Sequence, residues 1–492
     1  MSTPKIIGAI DLGASSGRVI AGVFGAGAGS AGAGAAGLEL HEIARFPNGP
    51  VERHGKLFWD FDALLKEIVA GVAKLGQFAQ ELGAPVISIG IDTWAVDYGL
   101  IDEAGNLLSQ PHHYRDQRNL LGVASVDAAI DPSDLFAQNG LQFQPFNTLY
   151  QLAAEKLQRP ELLAKTHKLL LVPDLIAHWL TGQLQTERTN ASTTGLLNAQ
   201  TQEWNLPLME RLGFKPEWFA PLAAPGSTLG KLLPERVAHP ALASTVVTTV
   251  ASHDTAAAVQ AAPLNGACAA FLSSGTWSLL GLELREPILS AAARSANFTN
   301  ESGTPGNVRF LKNLSGLWLL QQTLDNYQGT DDKSSLPELL AQAAKVESLA
   351  RIDVNDPEFV APGDMTSRIH THALRAGHAV GGTLAHTVRC IMDSLADAYK
   401  AALTELQSIT GVNVSQINVV GGGSQNQLLC QLTADITGLP VVAGPVEATA
   451  IGNLIAQAAA LGIIDASPTA QRNFVAQNFA VKTYIPANDL KA

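Results

Sequence analysis

Hydrophobic positions along this chain follow two patterns: short apolar runs that end in glycine and serine, and longer stretches with a helical repeat. Residues 5–12 are an isoleucine-rich apolar run that ends in a Gly/Ser turn, which predicts a buried strand, and residues 19–24 predict its hairpin partner. Between residues 60 and 82, apolar side chains recur with the period of an α-helix. Strands and helices in one chain indicate an α/β protein.

The same two patterns predict further elements and an internal repeat. Strands are expected at 86–91, 98–101, 245–250 and 416–420, a strand–turn–strand unit at 269–284, and helices at 385–407 and 426–437. Residues 111–222 mix helical stretches with polar loops, as an inserted or capping region does. IDLGASSGRVI at 10–20 and FLSSGTWSLL at 271–280 repeat one strand–turn–strand pattern. We therefore predict two α/β domains, 1–245 and 246–492, whose turns hold one polyanion in a cleft.

Composition narrows the class of ligand. Charged residues make up 15% of the chain, against about 25% in average domains. The net charge of −12 argues against nucleic-acid binding, so an anionic ligand needs a local pocket of backbone N–H groups. The three cysteines lack a CxxC motif, and no segment has the pattern of a signal peptide or membrane span. We expect a cytoplasmic protein with no membrane partner.

The glycine and serine turns are the candidate phosphate sites. Their backbone N–H groups, with the hydroxyls of Ser15, Ser16, Ser273, Ser274 and Thr276 and the guanidinium of Arg18, are donors suited to phosphate oxygens. Asp11, just before the first turn, is a candidate ligand, through water, for a Mg²⁺ ion beside those phosphates. Ordinary hairpin turns are the alternative. No GxGxxG motif opens a helix after the first strand, which disfavours a nicotinamide oxidoreductase.

A second glycine-rich segment is conspicuous but lies outside these motifs. The tract GAGAGSAGAGAAG at 25–37 lacks the Lys-Ser/Thr that follows a P-loop. We predict that it is a long hairpin tip with no role in the chemistry.

Asp254 is the candidate catalytic residue. The segment Ser252–Thr255 follows a predicted strand and precedes an alanine-rich helix start, which places the Asp254 carboxylate at a strand end. There it is either a general base for a substrate hydroxyl or a plain helix cap. His253 is either a sugar contact or a packed histidine. Residues 92–98, DTWAVDY, suit a sugar site or a strand end with turn aspartates, and 115–118 are a second edge of that site or a surface ion-pair network.

With these segments in view, the chain resembles the FGGY carbohydrate kinases of the actin-like ATPase superfamily. The resemblance rests on DLGASSGR at 11–18, SHDT at 252–255, SSGTWS at 273–278, VVGGGSQN at 419–426, IGIDTWAVDYGLID at 89–102, YRD at 114–116, FNTLYQL at 146–152, TNASTT at 189–194, KNLSGLWLLQ at 312–321 and AGPVEATAIGN at 443–453. It implies two actin-like (ribonuclease H-like) α/β domains that flank a deep cleft. The first holds the sugar and a phosphate loop, and the second the nucleotide and the catalytic aspartate.

The resemblance also implies roles for individual residues. ATP contacts are expected at Ala14, Ser15, Ser16, Gly17, Arg18, Thr276, Gln321, Gly421 and Gly422, and sugar contacts at Ala95, His253, Asp254, Thr255 and Asn313. Asp254 is expected to act as the base. The family commonly has glycine at the position of Ala95, so a methyl group is expected at the rim of the sugar site.

The implied reaction is phosphorylation of a ketose at its C1 hydroxyl with ATP and Mg²⁺. The resemblance in the DTW-VD, FNTLYQL and KN-GLW segments implies L-rhamnulose as the sugar, in L-rhamnose catabolism. Kinases for L-fuculose, L-ribulose and D-xylulose would share the phosphate motifs. A catalytically silent sugar- or nucleotide-binding module is the alternative from another class. A monomer or a homodimer agrees with the sequence equally well.

Overall fold

The structure is a computed structural model that describes residues 4–25, 37–264, 266, 268–304, 306–327, 335–347 and 349–487. The predicted hairpin tip at 26–36 lies outside the described residues, and Gly25 and Gly37, which flank it, are paired with each other across two strands. Within the described ranges, no helix combines the length and the apolar character that crossing a membrane requires.

Strands and helices are interspersed along the chain. The strands are β1 (Lys5–Leu12), β2 (Ser16–Gly25), β3 (Gly37–Pro47), β4 (Pro50–Arg53), β5 (Lys56–Trp59), β6 (Val86–Thr93), β7 (Tyr98–Ile101), β8 (Lys168–Leu171), β9 (Thr186–Glu187), β10 (Leu222–Ala223), β11 (Thr228–Lys231), β12 (Val246–Thr248), β13 (Ala269–Ser274), β14 (Trp277–Leu284), β15 (Thr299–Ser302), β16 (Val308–Ser315), β17 (Gln416–Val420), β18 (Val441–Ala443) and β19 (Lys482–Tyr484). The helices are α1 (Phe61–Glu81), α2 (Asn119–Ala129), α3 (Pro132–Asn139), α4 (Thr148–Gln158), α5 (Pro160–Ala164), α6 (Val172–Thr181), α7 (Arg188–Ala191), α8 (Leu206–Leu212), α9 (Asp254–Gln260), α10 (Ala291–Ser295), α11 (Trp318–Tyr327), α12 (Leu336–Ala343), α13 (Met365–Arg375), α14 (Leu384–Thr410), α15 (Gln427–Thr437), α16 (Ala448–Ala460) and α17 (Pro468–Asn478).

The chain divides into two compact units that are discontinuous in sequence. Unit 1 comprises Met1–Ala261, Leu284–Phe310 and Ala448–Phe479, and unit 2 comprises Ala262–Glu283, Leu311–Glu447 and Ala480–Ala492. This division differs from the predicted domains 1–245 and 246–492. In particular, Asp254 belongs to unit 1, whereas the predicted boundary assigned it to the second domain.

Unit 1 is built on a six-stranded mixed sheet in the order β11-β12-β6-β1-β2-β3. β1 pairs antiparallel with β2 and parallel with β6, and β6 pairs parallel with β12. Two helices cover its faces. On one face, Leu75 of α1 packs against Gly8. On the other face, Leu454 of α16 packs against Gly22. The two glycines thus allow close helix–sheet packing, since a Cβ at either would lie within 3 Å of these leucines.

The predicted inserted region forms helices α2 to α8 within unit 1. These helices pack around an apolar cluster of their own, which includes Val126, Leu149, Leu152 and Met209, all nearly inaccessible to solvent. β7 joins this cluster through Tyr98 and Leu100 and pairs with β8. The insertion therefore folds on β7, directly after the segment DTWAVD.

Unit 2 repeats the arrangement of the first strands of unit 1. β13 pairs antiparallel with β14 and parallel with β17, β17 pairs parallel with β18, and β18 pairs antiparallel with β19. α14, which runs for 27 residues, buries a long apolar face and ends at Gly411 in a left-handed conformation (φ 70°). The predicted strands at 5–12, 98–101 and 416–420 have the observed bounds.

Candidate active site

The first turn brings a carboxylate and a guanidinium together at the end of β1. Asp11 and Arg18 are opposite each other in the β1–β2 register, and Arg18 Nη2 lies 2.6 Å from Asp11 Oδ2. Between them, Gly13 N donates to Ser16 O at 2.8 Å and closes the turn. Asn48 Nδ2 donates to Gly13 O at 2.8 Å and holds the turn from outside.

The second carboxylate of this region is Asp92, which β6 places beside Asp11 in the parallel register. Asp92 is fully buried, and its Oδ2 accepts a hydrogen bond from Asn453 Nδ2 at 2.6 Å. Burial, and next the charge of Asp11, raise the pKa of Asp92 well above its ordinary value. Gln457 Nε2 donates to Asn453 Oδ1 and to Gly8 O. A series of buried hydrogen bonds from α16 therefore supports the Asp92 carboxyl group.

Asp254 lies at the first position of α9, after β12, and its side chain is one-third exposed. Its Oδ1 atom accepts from Thr255 N at 2.6 Å and from Thr255 Oγ1 at 3.3 Å, and His253 Nε2 lies 3.3 Å away. Burial of the site raises the pKa of Asp254, although the nearby His253 and the Thr255 N–H oppose that shift. His253, not Asp254, is the residue at the N-cap position of α9.

Buried polar residues fix the backbone of Ser252, two positions before Asp254. Glu187 accepts hydrogen bonds from Ser252 N at 3.0 Å and Ser252 Oγ at 2.8 Å. Asn190 Nδ2 donates to Ser252 O at 3.3 Å, and Thr93 N donates to the same carbonyl oxygen at 2.9 Å. Because these groups are buried and hydrogen-bonded, they restrict the backbone that carries Asp254.

The DTWAVD segment was expected to be either a sugar site or a strand end with turn aspartates. Trp94 and Asp97 are buried, and Asp97 accepts hydrogen bonds from Trp59 Nε1 at 2.6 Å, Trp94 Nε1 at 3.1 Å and Gln151 Nε2 at 2.8 Å. Burial raises the pKa of Asp97 to about 7. These side chains are therefore occupied in packing the loop. Ala95, which is half-buried, is the residue of Trp94–Asp97 that is least enclosed.

The loop carries backbone strain at one position. Val96 has a φ of 67°, a left-handed conformation that a β-branched residue rarely adopts. Its carbonyl oxygen accepts a hydrogen bond from Thr148 Oγ1 at 2.7 Å. This contact with α4 helps to hold the strained conformation of Val96.

Two polar segments that precede α2, residues 112–113 and 115–118, contribute buried side chains. His112 and His113 are buried and lie 4.3 Å, between ring centroids, from Phe58 and Trp59 respectively. Burial lowers the pKa of His112 to about 2 and that of His113 to about 3. Of the segment 115–118, Arg118 forms a buried ion pair with Glu155. The ion-pair interpretation of this segment holds for Arg118, although the pair is in the interior rather than at the surface.

In unit 2 the second turn is packed against the glycine turn that follows β17. Gly275 N donates to Trp277 O at 2.8 Å, and Leu317 N donates to Gly275 O at 2.8 Å. A Cβ on Gly423 would lie 2.0 Å from Ser274 Oγ, so the close approach of the two turns requires glycine there. Gly421, with a φ of 79°, lies against the Ser274 backbone.

The other predicted contact residues of unit 2 lie on α11, in the glycine turn and on β16. Trp318 N, at the start of α11, donates to Thr276 O at 3.3 Å, and Gln321 is exposed one turn further along the same helix. Gly422 is exposed and has no neighbouring atom within 4 Å of a Cβ built on it. Asn313 is half-buried on β16. Unit 2 thus brings together Thr276, Gly421 and Gly422, while His253, Asp254, Thr255, Ala95 and residues 14–18 belong to unit 1.

The residues at the end of β1 fit a weakly held Mg²⁺ ion. Within the described part of the chain, no three His, Cys, Asp or Glu side chains are grouped as a protein-only metal site would require. Mg²⁺ usually keeps several waters and uses one or two carboxylates together with substrate phosphates. Asp11 provides one such carboxylate, and its Oδ2 is engaged by Arg18.

Each unit has a hairpin that ends in a Gly/Ser turn and whose first strand pairs with a parallel strand. Together with the supported aspartate, this arrangement suits phosphoryl transfer. A xylulose kinase from Lactobacillus acidophilus has the same actin-like fold, with a TM-score of 0.76, 16% identity and coverage of 99% of this chain and 94% of that chain. Plasmodium falciparum glycerol kinase with ADP matches with a TM-score of 0.75, 15% identity and coverage of 99% and 96%.

The chain belongs to the FGGY family of carbohydrate kinases, whose N-terminal domain model matches residues 6–260 and whose C-terminal domain model matches 270–461. A rhamnulokinase of Yersinia pestis bv. Antiqua is 42% identical over 480 residues, covering 97% of this chain and 94% of that protein. A rhamnulokinase of Bacillus subtilis is 40% identical over 479 residues, covering 97% and 95%. The chain is thus an ATP-dependent sugar kinase, as the sequence predicted. Asp254 lies within the part matched by the N-terminal domain model.

Several residues of the site were not found from the sequence. Glu187, Glu301, Arg309 and Asn453 each contact the segment around Asp92 or Asp254 from a distant part of the chain. Glu187, Glu301 and Arg309 have no motif within their own segments that distinguishes them from ordinary polar residues. Asn453 ends the AGPVEATAIGN segment, but no role was predicted for it, so the fold identifies the contacts of all four.

Proposed function

We propose that this protein transfers the γ-phosphoryl group of ATP to the C1 hydroxyl of L-rhamnulose, giving ADP and L-rhamnulose 1-phosphate. The observation that carries the proposal is the 40–42% identity, over nearly the full chain, to proteins named rhamnulokinase. The cytoplasmic location and the choice between monomer and homodimer stay predictions.

In this proposal Asp254 is the general base. Three donors engage Oδ1, namely Thr255 N, Thr255 Oγ1 and His253 Nε2, so Oδ2 of the partly exposed carboxylate accepts the proton of the C1 hydroxyl. The hydroxyl oxygen then attacks the γ-phosphorus, and the bond to the β,γ-bridging oxygen of ATP breaks. The raised pKa of Asp254 supports this role, because a base with a higher pKa takes the proton more readily.

The sugar and nucleotide contacts follow from the same residues. His253, Asp254, Thr255 and Asn313 hold the sugar, and the backbone at Ala95 borders it. The nucleotide binds through residues 14–18 and through Thr276, Gln321, Gly421 and Gly422. The turns supply N–H groups, and Arg18 supplies positive charge for the phosphate oxygens. Asp11 would hold Mg²⁺, through water, which when bound neutralises charge on the transferring phosphoryl group.

A coupled ADP-release assay over L-rhamnulose, L-fuculose, L-ribulose, D-xylulose and glycerol tests the proposal. We expect the highest kcat/KM with L-rhamnulose and a phosphate ester at C1 in the product. A higher kcat/KM with another ketose would replace the substrate and keep the reaction class. Binding of sugar or nucleotide without ADP release from any of the five would instead identify a silent binding module.

A further inference from the structure

The catalytic carboxylate is held by an imidazole whose other nitrogen is also engaged. His253 Nε2 lies 3.3 Å from Asp254 Oδ1, and His253 Nδ1 lies 3.2 Å from Arg309 Nη2 and 3.5 Å from Glu301 Oε2. Arg309 has no exposed surface, and Glu301 is 6% exposed as a side chain. A buried charged pair therefore lies directly behind the histidine that contacts the base.

Two groups face Nδ1 of His253, and Arg309 Nη2 is nearer, at 3.2 Å, than Glu301 Oε2, at 3.5 Å. In a neutral His253 the nearer group determines which nitrogen carries the proton. A guanidinium can donate but cannot accept a hydrogen bond, so its contact with Nδ1 requires a lone pair there. The proton is then on Nε2, where it points to Asp254 Oδ1. The other tautomer would place two N–H groups against each other at Nδ1 and two acceptors against each other at Nε2.

Glu301 and the backbone keep Arg309 in this position. Arg309 Nη2 lies 3.1 Å from Glu301 Oε2, and Arg309 Nε donates to Ser302 O at 3.0 Å. The Arg309 charge lowers the pKa of Glu301 despite its burial, so the pair is ionised. Glu301 lies on β15 and Arg309 lies on β16. Both residues belong to unit 1, as do His253 and Asp254.

We propose that Arg309 and Glu301 are positioning residues for the phosphoryl transfer: Arg309 fixes the Nε2–H tautomer of His253, which orients Asp254 so that Oδ2 faces the sugar hydroxyl, and Glu301 balances the Arg309 charge. The inference rests on the proposed function of Asp254 as the base. Neither residue needs to touch substrate for this role.

The two residues act on the ionisation of Asp254 with opposite signs. The titratable and charged groups near Asp254 are His253 on its own segment, Arg309 on β16 with its partner Glu301 on β15, and Asp92 on β6. The Arg309 charge lowers the pKa of Asp254, so that pKa rises when the charge is lost. Loss of the Glu301 charge leaves Arg309 unbalanced, so the pKa of Asp254 falls.

The pH dependence of kcat, measured with the best sugar of the wild-type protein, tests the inference. We expect Arg309→Met to lower kcat at least about tenfold. The acidic limb of the kcat–pH profile, where kcat falls at low pH, should move to higher pH by about half a unit or more. We expect Glu301→Gln to move the same limb down. Arg309→Lys, which keeps the charge, should keep the limb near its wild-type position while KM for the sugar changes little.

Arg118→Met is the matched control, because Arg118 also forms a buried ion pair with a glutamate in unit 1, where its partner is Glu155. We expect it to reduce thermal stability without moving the acidic limb. If the Arg309 and Glu301 variants lose activity with limbs that stay in place or move in the same direction, the pair is merely structural and the inference is wrong.

The failure of the proposed function would be recognised separately. If Asp254→Asn keeps wild-type turnover, Asp254 is not the base and the premise fails. If Asp254→Asn is inactive while the limbs of the Arg309 and Glu301 variants coincide with that of the wild type, the positioning role alone fails. Should Arg309→Met not fold, Glu301→Gln and Arg309→Lys still decide, since the downward shift and the unmoved limb are each required.

Discussion

The hairpins β1–β2 in unit 1 and β13–β14 in unit 2 have the same local topology and different chemistry. In each, the first strand pairs antiparallel with the second and parallel with a later strand, β6 or β17. At the end of β1, Asp11 is opposite Arg18 on one side and Asp92 on the other. The corresponding Ser273 of β13 is opposite Leu279 and Val420.

This difference shows how one framework serves two tasks. The first hairpin places the Asp11–Arg18 ion pair next to the buried Asp92. The second has neither a carboxylate nor a guanidinium at the same register and packs closely against its neighbouring glycine turn. The hairpin of unit 1 thus has charged side chains at this register, whereas the proposed phosphate contacts of unit 2 are uncharged turn residues. Each of the following variants tests that division.

Asp254→Asn should have the largest effect. Loss of a positioned base typically lowers the rate by about 10²–10⁴-fold, and the amide keeps the size of the side chain. We expect kcat to fall by that factor while the dissociation constants for sugar and nucleotide change little, as measured by calorimetry. Asp62→Asn, at an exposed carboxylate of α1, is the control. An Asp254→Asn protein with full turnover would contradict the assignment of the base to unit 1.

Arg18→Met should rank second, because it removes the guanidinium that faces both Asp11 and the predicted phosphate site. We expect kcat/KM for ATP to fall by about 10²–10³-fold, as when one preorganised donor is removed. Arg45, opposite Arg18 on β3, forms an exposed pair with Glu42. Arg45→Met should therefore leave kcat/KM unchanged. Equal losses in both variants would show that net charge, and not the hairpin, controls ATP binding.

Gly423→Ala tests the close packing of the glycine turn against Ser274 in unit 2. The added methyl group would lie 2.0 Å from Ser274 Oγ and force the two turns of unit 2 apart. We expect a loss of about 1–3 kcal/mol of unfolding free energy, typical of overpacking, together with a higher KM for ATP. Gly382→Ala, where a Cβ meets no atom within 4 Å, should cost much less in denaturant titrations. Unaltered stability in Gly423→Ala would mean that the close approach of the turns is not required.

Ala95→Gly should have the smallest effect. The segments after β6 and β17 are equivalent in topology, and the first is expected to border the sugar through the backbone at Ala95. Removal of a half-buried methyl group should lower KM for L-rhamnulose by about tenfold or less, the lower end of what one methyl group contributes in a pocket. Ala104→Gly, in an exposed turn, serves for comparison. A raised KM would indicate that the methyl group contacts the sugar favourably.

The sequence predicted local structure better than long-range contacts. The apolar runs at 5–12, 98–101 and 416–420 match β1, β7 and β17 because a strand depends on the side chains within it. The strand expected at 245–250 is shorter, Val246–Thr248, because the residues after Thr248 make other contacts, such as Gly226 N with Thr249 O. The family resemblance supplied the residues that unit 2 brings together at its turns.

What the sequence did not predict depends on pairs of residues far apart in the chain. Asp97 was a candidate sugar ligand by residue type, yet Trp59 covers it from another hairpin. Arg309 gains its role from His253, 56 positions earlier. Periodicity is a local property, so it carries no information about such pairs, nor about the discontinuous course of unit 1.

That discontinuous course has a consequence for how the protein is made. The buried carboxyl group of Asp92 acquires its partner, Asn453 Nδ2, and Gly8 O acquires Gln457 Nε2, from α16. During synthesis the N-terminal end of the chain leaves the ribosome hundreds of residues before α16 does. The sheet of unit 1 then has one uncovered apolar face, and the carboxyl group of Asp92 lacks its hydrogen-bond donor, Asn453. The nascent chain is therefore a candidate client for chaperones. A chain that stops before Ala448 should therefore fail to complete the unit that begins at its own N-terminus.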